Sequence, residues 1–313
     1  MNKLLLSLIV ILSACAPQVV IPPVQENELG PATPEQIALG KELFHDPILS
    51  SDNQISCATC HESGQAFTDG QKFSKGVEGR IGKRNSPTLL NVAYLKQLNW
   101  DGGTNSIETQ MLVPINDPNE LNSSIPKIVN ELSKNDHYIN RFNEVWKDSI
   151  SAYTLTRSIG AFVRSLRSFN SRYDKHLKGE YEYTNEEAVG EALFFTSGLK
   201  CGQCHTAPLF TNQEFINNGL VTSPADSGKA RITYKREDLE KFKVPTLRNI
   251  ALTAPYMHDG RFQNLEEIIA HYSEGGQPAM NKSDLIQGFP LSPFEEKALI
   301  SFLNCLTDEE MDL

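Results

Sequence analysis

A chain of 313 residues, 39% apolar and 22% charged, has the composition of a folded protein with room for two domains of about 100–150 residues. Its formal charge of −10 argues against sequence-independent nucleic-acid binding, which needs a basic surface. Six cysteines are too few to staple a chain of this length, so their spacing carries more information than their number.

The chain opens MNKLLLSLIVILSAC. Lys3 supplies a positive start, Leu4 to Leu12 an apolar stretch too short to span a bilayer, and Ser13 and Ala14 the small residues of a cleavage site. This predicts an export signal over 1–15. The ending Leu12-Ser13-Ala14-Cys15 resembles a bacterial lipoprotein signal, in which the cysteine carries the lipid; an ordinary signal peptide is the alternative. Residues 16–31, rich in Pro, Val and Gln, read as a flexible tether. Together these predict a periplasmic body held to a membrane by lipid on Cys15, in an oxidising compartment. No later apolar run reaches the roughly 18 residues a transmembrane helix needs.

A helix is predicted from the capping signal Thr33-Pro34-Glu35-Gln36, with Gly40, Leu43 and Phe44 along it. Cys57-Ala58-Thr59-Cys60-His61 follows, and Cys201-Gly202-Gln203-Cys204-His205 repeats the pattern. Two thiols three positions apart can reach two vinyl groups on one porphyrin edge, and the adjacent histidine can reach the iron, so CxxCH marks covalent haem c attachment. Thioredoxin-like redox pairs, a shared zinc site or two small-loop disulfides compete, but none needs a histidine in both copies. Cys305 is then left over, as a buried free thiol near Ala298 and Phe302.

A second helix, opened by Thr184-Asn185-Glu186-Glu187, carries Gly190, Leu193 and Phe194. Gly-x-x-Leu-Phe thus precedes both haem motifs and predicts an internal duplication. The N-terminal haem domain is expected over 32–178 and the C-terminal one over 185–313, joined by a polar linker (KGEYEYTN). Further helices are expected over 150–169, over 264–272, and after Ser292-Pro293. Alternating strand patterns are scarce. The fold class is mainly α, with two c-type haem domains and long loops.

LGKELFHDPILS before the first motif, RNSPTLLN at 84–91, NWDGG at 99–103, VPTLRNIALTAPYMHDGRF at 244–262 and LEEIIAHY at 265–272 carry a clear resemblance. The chain resembles the bacterial di-haem cytochrome c peroxidases, including their MauG branch, over residues 34–307. The resemblance implies an N-terminal haem that meets hydrogen peroxide and a C-terminal haem that takes electrons from a c-type cytochrome or similar small redox protein. His61 and His205 would be axial ligands, held beside Cys57, Cys60, Cys201 and Cys204. Glu120 and Gln110 match the distal acid–base and orienting residues. Trp100 matches the tryptophan between the haems. Asn85, Thr253 and Pro255 match an inter-haem calcium site, and oxygen ligands suit Ca²⁺. Arg248 is expected against a haem propionate.

Two departures are informative. Many members carry a blocking histidine where this chain has Val77, which implies an open peroxidatic iron without prior reduction. Fourteen residues after His258, where well-known peroxidases place a methionine ligand, stands Tyr272, as in the MauG branch. A core tyrosine is the plainer reading of Tyr272, with Met257 and Met280 as rival ligands; a tyrosinate would favour higher oxidation states of iron. The leading function is reduction of hydrogen peroxide to water. The alternatives are MauG-like oxidation of a partner protein's side chains, weakened by Leu199 where MauG has a tryptophan, and a non-enzymatic electron carrier.

Overall fold

The computed structural model describes residues 20–220 and 226–310. The export signal, Cys15 and the start of the tether lie outside them. Helices in chain order are α1 (Pro34–His45), α2 (Cys57–Cys60), α3 (Ile107–Gln110), α4 (Leu112–Asn116), α5 (Ile125–Leu132), α6 (Asp136–Trp146) and α7 (Ala152–Ser165). The chain continues with α8 (Arg172–Leu177), α9 (Asn185–Phe194), α10 (Cys201–Cys204), α11 (Ala230–Thr233), α12 (Leu265–Ser273) and α13 (Pro293–Asn304). The sheet content is small: β1 (Phe215–Ile216) pairs antiparallel with β2 (Phe242–Lys243).

Helix starts follow local chemistry. The Thr33, Thr184 and Ser292 side chains each accept from the backbone N–H three residues on, and Gln36, Glu187 and Glu295 reach back. These capping boxes satisfy donors that a helix cannot satisfy within itself. Asn264 caps α12 through the N–H of Glu267.

Two buried clusters form. The first gathers Leu39, Leu43, Phe44, Phe67, Ile115, Phe142, Leu155 and Phe162. The second gathers Tyr173, Phe194, Phe210, Leu247, Leu299, Phe302 and Cys305. Each has one close helix crossing. A Cβ on Gly40 would lie 1.9 Å from the Ser158 carbonyl oxygen of α7, and one on Gly190 the same distance from the Ala298 carbonyl oxygen of α13. Only hydrogen fits at either place, so α1 seats on α7 and α9 on α13 at backbone contact.

Three stretches at the domain edges are held by the fold. The tether does not run loose to residue 31: Gln25 N–H donates to the Ala93 carbonyl at 2.8 Å, and Asn27 Nδ2 donates to Glu108 Oε1 at 3.0 Å. Glu28 pairs with Arg157, and Arg164 Nε donates to the Gln25 carbonyl at 3.2 Å. On α8, Tyr173 and Leu177 pack into the second cluster. The polar linker has partners as well: the Tyr183 ring stacks on His176 at 3.8 Å, and Tyr181 Oη donates to Glu187.

Candidate functional site

Each CxxCH motif is a single helical turn laid against its own core, which puts the histidine next to the thiols. His61 N–H donates to the Cys57 carbonyl at 3.0 Å, and His205 N–H to that of Cys201 at 2.9 Å. His61 Nδ1 lies 2.9 Å from the Phe67 carbonyl oxygen, and His205 Nδ1 lies 3.0 Å from that of Phe210. A carbonyl can only accept, so Nδ1 carries the proton in both rings and Nε2 keeps its lone pair. Burial holds both imidazoles neutral, His205 down to about 4. Among the described residues Cys57, Cys60, Cys201 and Cys204 form no disulfide. Four unpaired thiols and two imidazoles presenting Nε2 are the donor set that covalent haem c requires, and the fixed Nδ1–H partners orient the ligands.

Glu120 follows α4 on the turn Asp117–Asn119, near the Cys60 thiol. Burial and the negative Asp117 push its carboxyl up to about 7. Val77 is fully buried, and its N–H donates to the Glu120 carbonyl at 2.9 Å. The position at which a blocking histidine was sought therefore lies on the Glu120 turn. Two further contacts fasten this loop. A Cβ on Gly76 would stand 2.1 Å from the Asn119 carbonyl oxygen, and Arg80 Nη1 donates to the Pro118 carbonyl at 2.8 Å. Gln110, at the end of α3, is held at both ends: Nε2 donates to Asn99 Oδ1 at 2.7 Å and Oε1 accepts from Thr104 Oγ1 at 2.6 Å.

Between the two clusters stands Trp100. Its Nε1–H donates to the Asn85 carbonyl at 2.9 Å, and its ring centroid lies 6.4 Å from that of His258. His258 is buried, stacks on Phe242 at 3.6 Å, and has no hydrogen-bond partner for Nε2 among the described residues. Burial outweighs nearby Asp259 and Asp226 and lowers its pKa to about 4. Asn85 N–H donates to the His258 carbonyl at 2.8 Å, and Asn85 Nδ2 to the Gln71 carbonyl at 2.9 Å. These bonds bring Asn85 to the Thr253–His258 segment. Arg84 closes the junction, paired with Asp101 at 2.5 Å and Asp226 at 2.7 Å.

Tyr272 lies on α12, half-buried, within electrostatic reach of Cys201 and Cys204. Burial pushes its hydroxyl up to about 12, although Asn218 Nδ2 donates to it at 3.1 Å. The same Asn218 Nδ2 is 3.7 Å from Met257 Sδ, whereas Met280 is 71% exposed. Arg248 has a partner of its own. It is 1% exposed and forms a two-pronged pair with Asp174, Nη1 and Nη2 each at 2.8 Å, while Nε donates to the Pro208 carbonyl. Its charge is met by a carboxylate from α8.

Sequence reasoning did not single out Asn218, Phe242, Thr104 or Asn99. Asn99 stood inside a quoted motif; Asn218 and Thr104 are ordinary loop residues and Phe242 lies on the short strand β2, and the role of each depends on what the fold brings beside it. Among the described residues no cluster of three His, Cys, Asp or Glu side chains is arranged to hold a metal ion, and no helix is long and apolar enough to cross a membrane.

A family model described as di-haem cytochrome c peroxidase matches residues 34–182. The methylamine utilization protein MauG of Methylorubrum extorquens is 32% identical over 290 residues, covering 91% of this chain and 82% of that protein. The cytochrome c551 peroxidase of Nitrosomonas europaea is 32% identical over 288 residues, covering 90% and 83%. Among solved structures, a MauG-like protein associated with microbial copper homeostasis superposes with a TM-score of 0.87 at 35% identity, covering 92% of this chain and 94% of that one.

Proposed function

Because the chain belongs to the di-haem cytochrome c peroxidase family, we propose that Glu120, Gln110 and Trp100 carry out its reduction of hydrogen peroxide to water. The protein is an oxidoreductase: one peroxide, two electrons and two protons give two waters. Two haem c groups, bound through Cys57, Cys60 and His61 and through Cys201, Cys204 and His205, supply the iron that exchanges electrons.

The observation that carries the residue roles is the Glu120 carboxyl, poised near neutrality beside the first motif. Such a group can take the proton from the near peroxide oxygen and return it to the far one, making water the leaving group. Gln110, fixed by Asn99 and Thr104, orients the oxidant. Buried Val77 supplies no ligand, so the first iron needs no reductive opening. Trp100 would pass electrons between the two centres, and Tyr272 would help hold the C-terminal haem through its hydroxyl oxygen. Asn85, Thr253 and Pro255 hold one Ca²⁺ through one side-chain and two backbone oxygens, supported by the bond that ties Asn85 to His258. The two haem domains arose by duplication, supported by the matched crossings at Gly40 and Gly190. The protein is exported to the periplasm and anchored by lipid on Cys15, and a c-type cytochrome or similar protein donates electrons.

Glu120→Gln tests the mechanism. It keeps the size of the side chain and removes the base, so kcat/KM for peroxide should fall about 10²–10⁴-fold with haem content unchanged. Full activity in that variant would remove Glu120 from the reaction. A second reading, oxidation of side chains on a partner protein, is favoured by Tyr272 and opposed by Leu199. Mass spectrometry of a candidate partner after peroxide treatment would separate the two.

A further inference from the structure

Residues 228–241 form a rigid protrusion that no step above uses. Its ends are closed by Gly228 N–H donating to Asp226 at 2.9 Å and Lys229 N–H to the Lys241 carbonyl at 2.8 Å. Arg231 ties it to the body through Asp101 at 2.7 Å.

Its charges are sorted. Asp238 accepts from Thr233 at 2.9 Å and faces Lys241 at 3.7 Å, and Glu240 accepts from Asn217 at 3.4 Å. Glu237 is the one acid of the segment left exposed. Lys235 and Arg236 are exposed and make no ion pair among the described residues. A chain of net charge −10 thus presents a basic face here.

The same face is apolar. Ile232, Leu239 and Met280 are exposed, and Asn281 Nδ2, donating to the Arg236 carbonyl at 2.9 Å, brings Met280 beside them. Tyr234 is 92% exposed with φ +58°, a left-handed conformation that an aromatic residue rarely adopts. Its N–H donates to the Ala230 carbonyl at 2.9 Å, so its backbone is fixed while its ring stands in water. An exposed aromatic on a fixed backbone, in a segment that also exposes apolar and cationic side chains, has the make-up of an interface anchor.

The base of the protrusion rests on the turn that carries Trp100. A Cβ on Gly103 would lie 3.4 Å from Ile232 Cδ1. Just beyond it, Phe242 stacks on His258, and Lys243 N–H donates to the Trp100 carbonyl at 2.8 Å.

We propose that this protrusion is the docking site for an acidic electron-donor protein, seated on Tyr234, Lys235 and Arg236 above the turn of Trp100. The inference rests on the peroxidase reading and names its partner. Elsewhere the acidic body repels such a donor, and the basic face guides it in. Each encounter oxidises the donor by one electron, and two encounters serve one peroxide.

The test compares peroxide turnover by the haem-loaded protein with three reductants at low ionic strength: an acidic c-type cytochrome, a basic one, and a neutral phenylenediamine. The acidic cytochrome should have the lower KM, and added salt should erase the advantage. The double variant Lys235→Glu, Arg236→Glu should raise the KM for the acidic cytochrome about tenfold or more, since rim charges act on association. Tyr234→Ala should raise it as well. Phenylenediamine turnover and the Soret spectrum should be unchanged in both variants. Preference for the basic cytochrome, or an unaltered KM for the acidic one, overturns the docking site. Absence of phenylenediamine turnover in the parent protein overturns the peroxidase reading instead, and the docking site with it.

Discussion

Gly40→Ala puts a methyl group into the seam between α1 and α7, 1.9 Å from the Ser158 carbonyl oxygen and 3.0 Å from Phe162 Cβ. An ordinary carbon–oxygen contact is about 3.3 Å, so the helices must part by roughly an ångström. The obstacle is backbone and cannot rotate away. Leu39, Leu43 and Phe44, all buried at this seam, would lose their fit. Alanine returns about 1 kcal/mol of helix propensity over glycine. Overpacking costs about 1–3 kcal/mol where side chains can yield, and more against a carbonyl. A net loss of about 2 kcal/mol should lower the melting temperature by about 4–8 °C, read by far-ultraviolet circular dichroism of the haem-loaded protein. Gly190→Ala meets the Ala298 carbonyl oxygen at the same 1.9 Å and should cost as much. Gly64→Ala, with nothing within 4 Å of the new methyl, should leave the melt unchanged. A Gly40→Ala protein that melts at or above the parent temperature refutes the seam.

Further expectations concern charge and ligation. As a base Glu120 works deprotonated, so kcat/KM should rise as pH increases through about 7; Asp117→Asn removes a neighbouring negative charge and should move that limb to lower pH, only part of the way because burial is the larger cause. An unmoved limb would show that another group titrates. Tyr272→Met should change the electron paramagnetic resonance signature of the C-terminal iron, and an unchanged signature rejects the ligand. Asp174→Asn leaves Arg248 buried beside no counter-charge and should cost about 3–5 kcal/mol in denaturant unfolding, whereas Asp174→Leu with Arg248→Met should recover much of it. A single variant as stable as its parent would mean the pair holds nothing together.

The haem motifs were legible because their chemistry is local. Two thiols and an imidazole on one helical turn need no tertiary information, and neither do capping boxes such as Thr33 with Gln36 or Ser292 with Glu295. The repeated Gly-x-x-Leu-Phe was legible as a pattern, but its cause was not. Gly40 and Gly190 are glycines because of carbonyls on helices more than a hundred residues away in sequence. Composition misled where polarity was taken for slackness. Gln25 to Glu28 and Tyr181 to Tyr183 read as loose, yet their backbone groups and rings have partners set by the fold.

The place of residues 172–177 in the second core and the pairing of Arg248 share one physical cause. Both follow from α8. Its Tyr173 packs 4.9 Å from Phe210 in the second core, which assigns the helix to the C-terminal half. The next residue, Asp174, is thereby carried to Arg248, 74 positions further along the chain. An arginine read without that helix has an unmet charge and invites an anionic cofactor as its partner. With the helix in place its charge is met, and Arg248 braces the floor of the second site: its Nε holds the Pro208 carbonyl, close to the Phe210 carbonyl that orients His205. Arg248 thereby fixes the loop whose carbonyl orients His205.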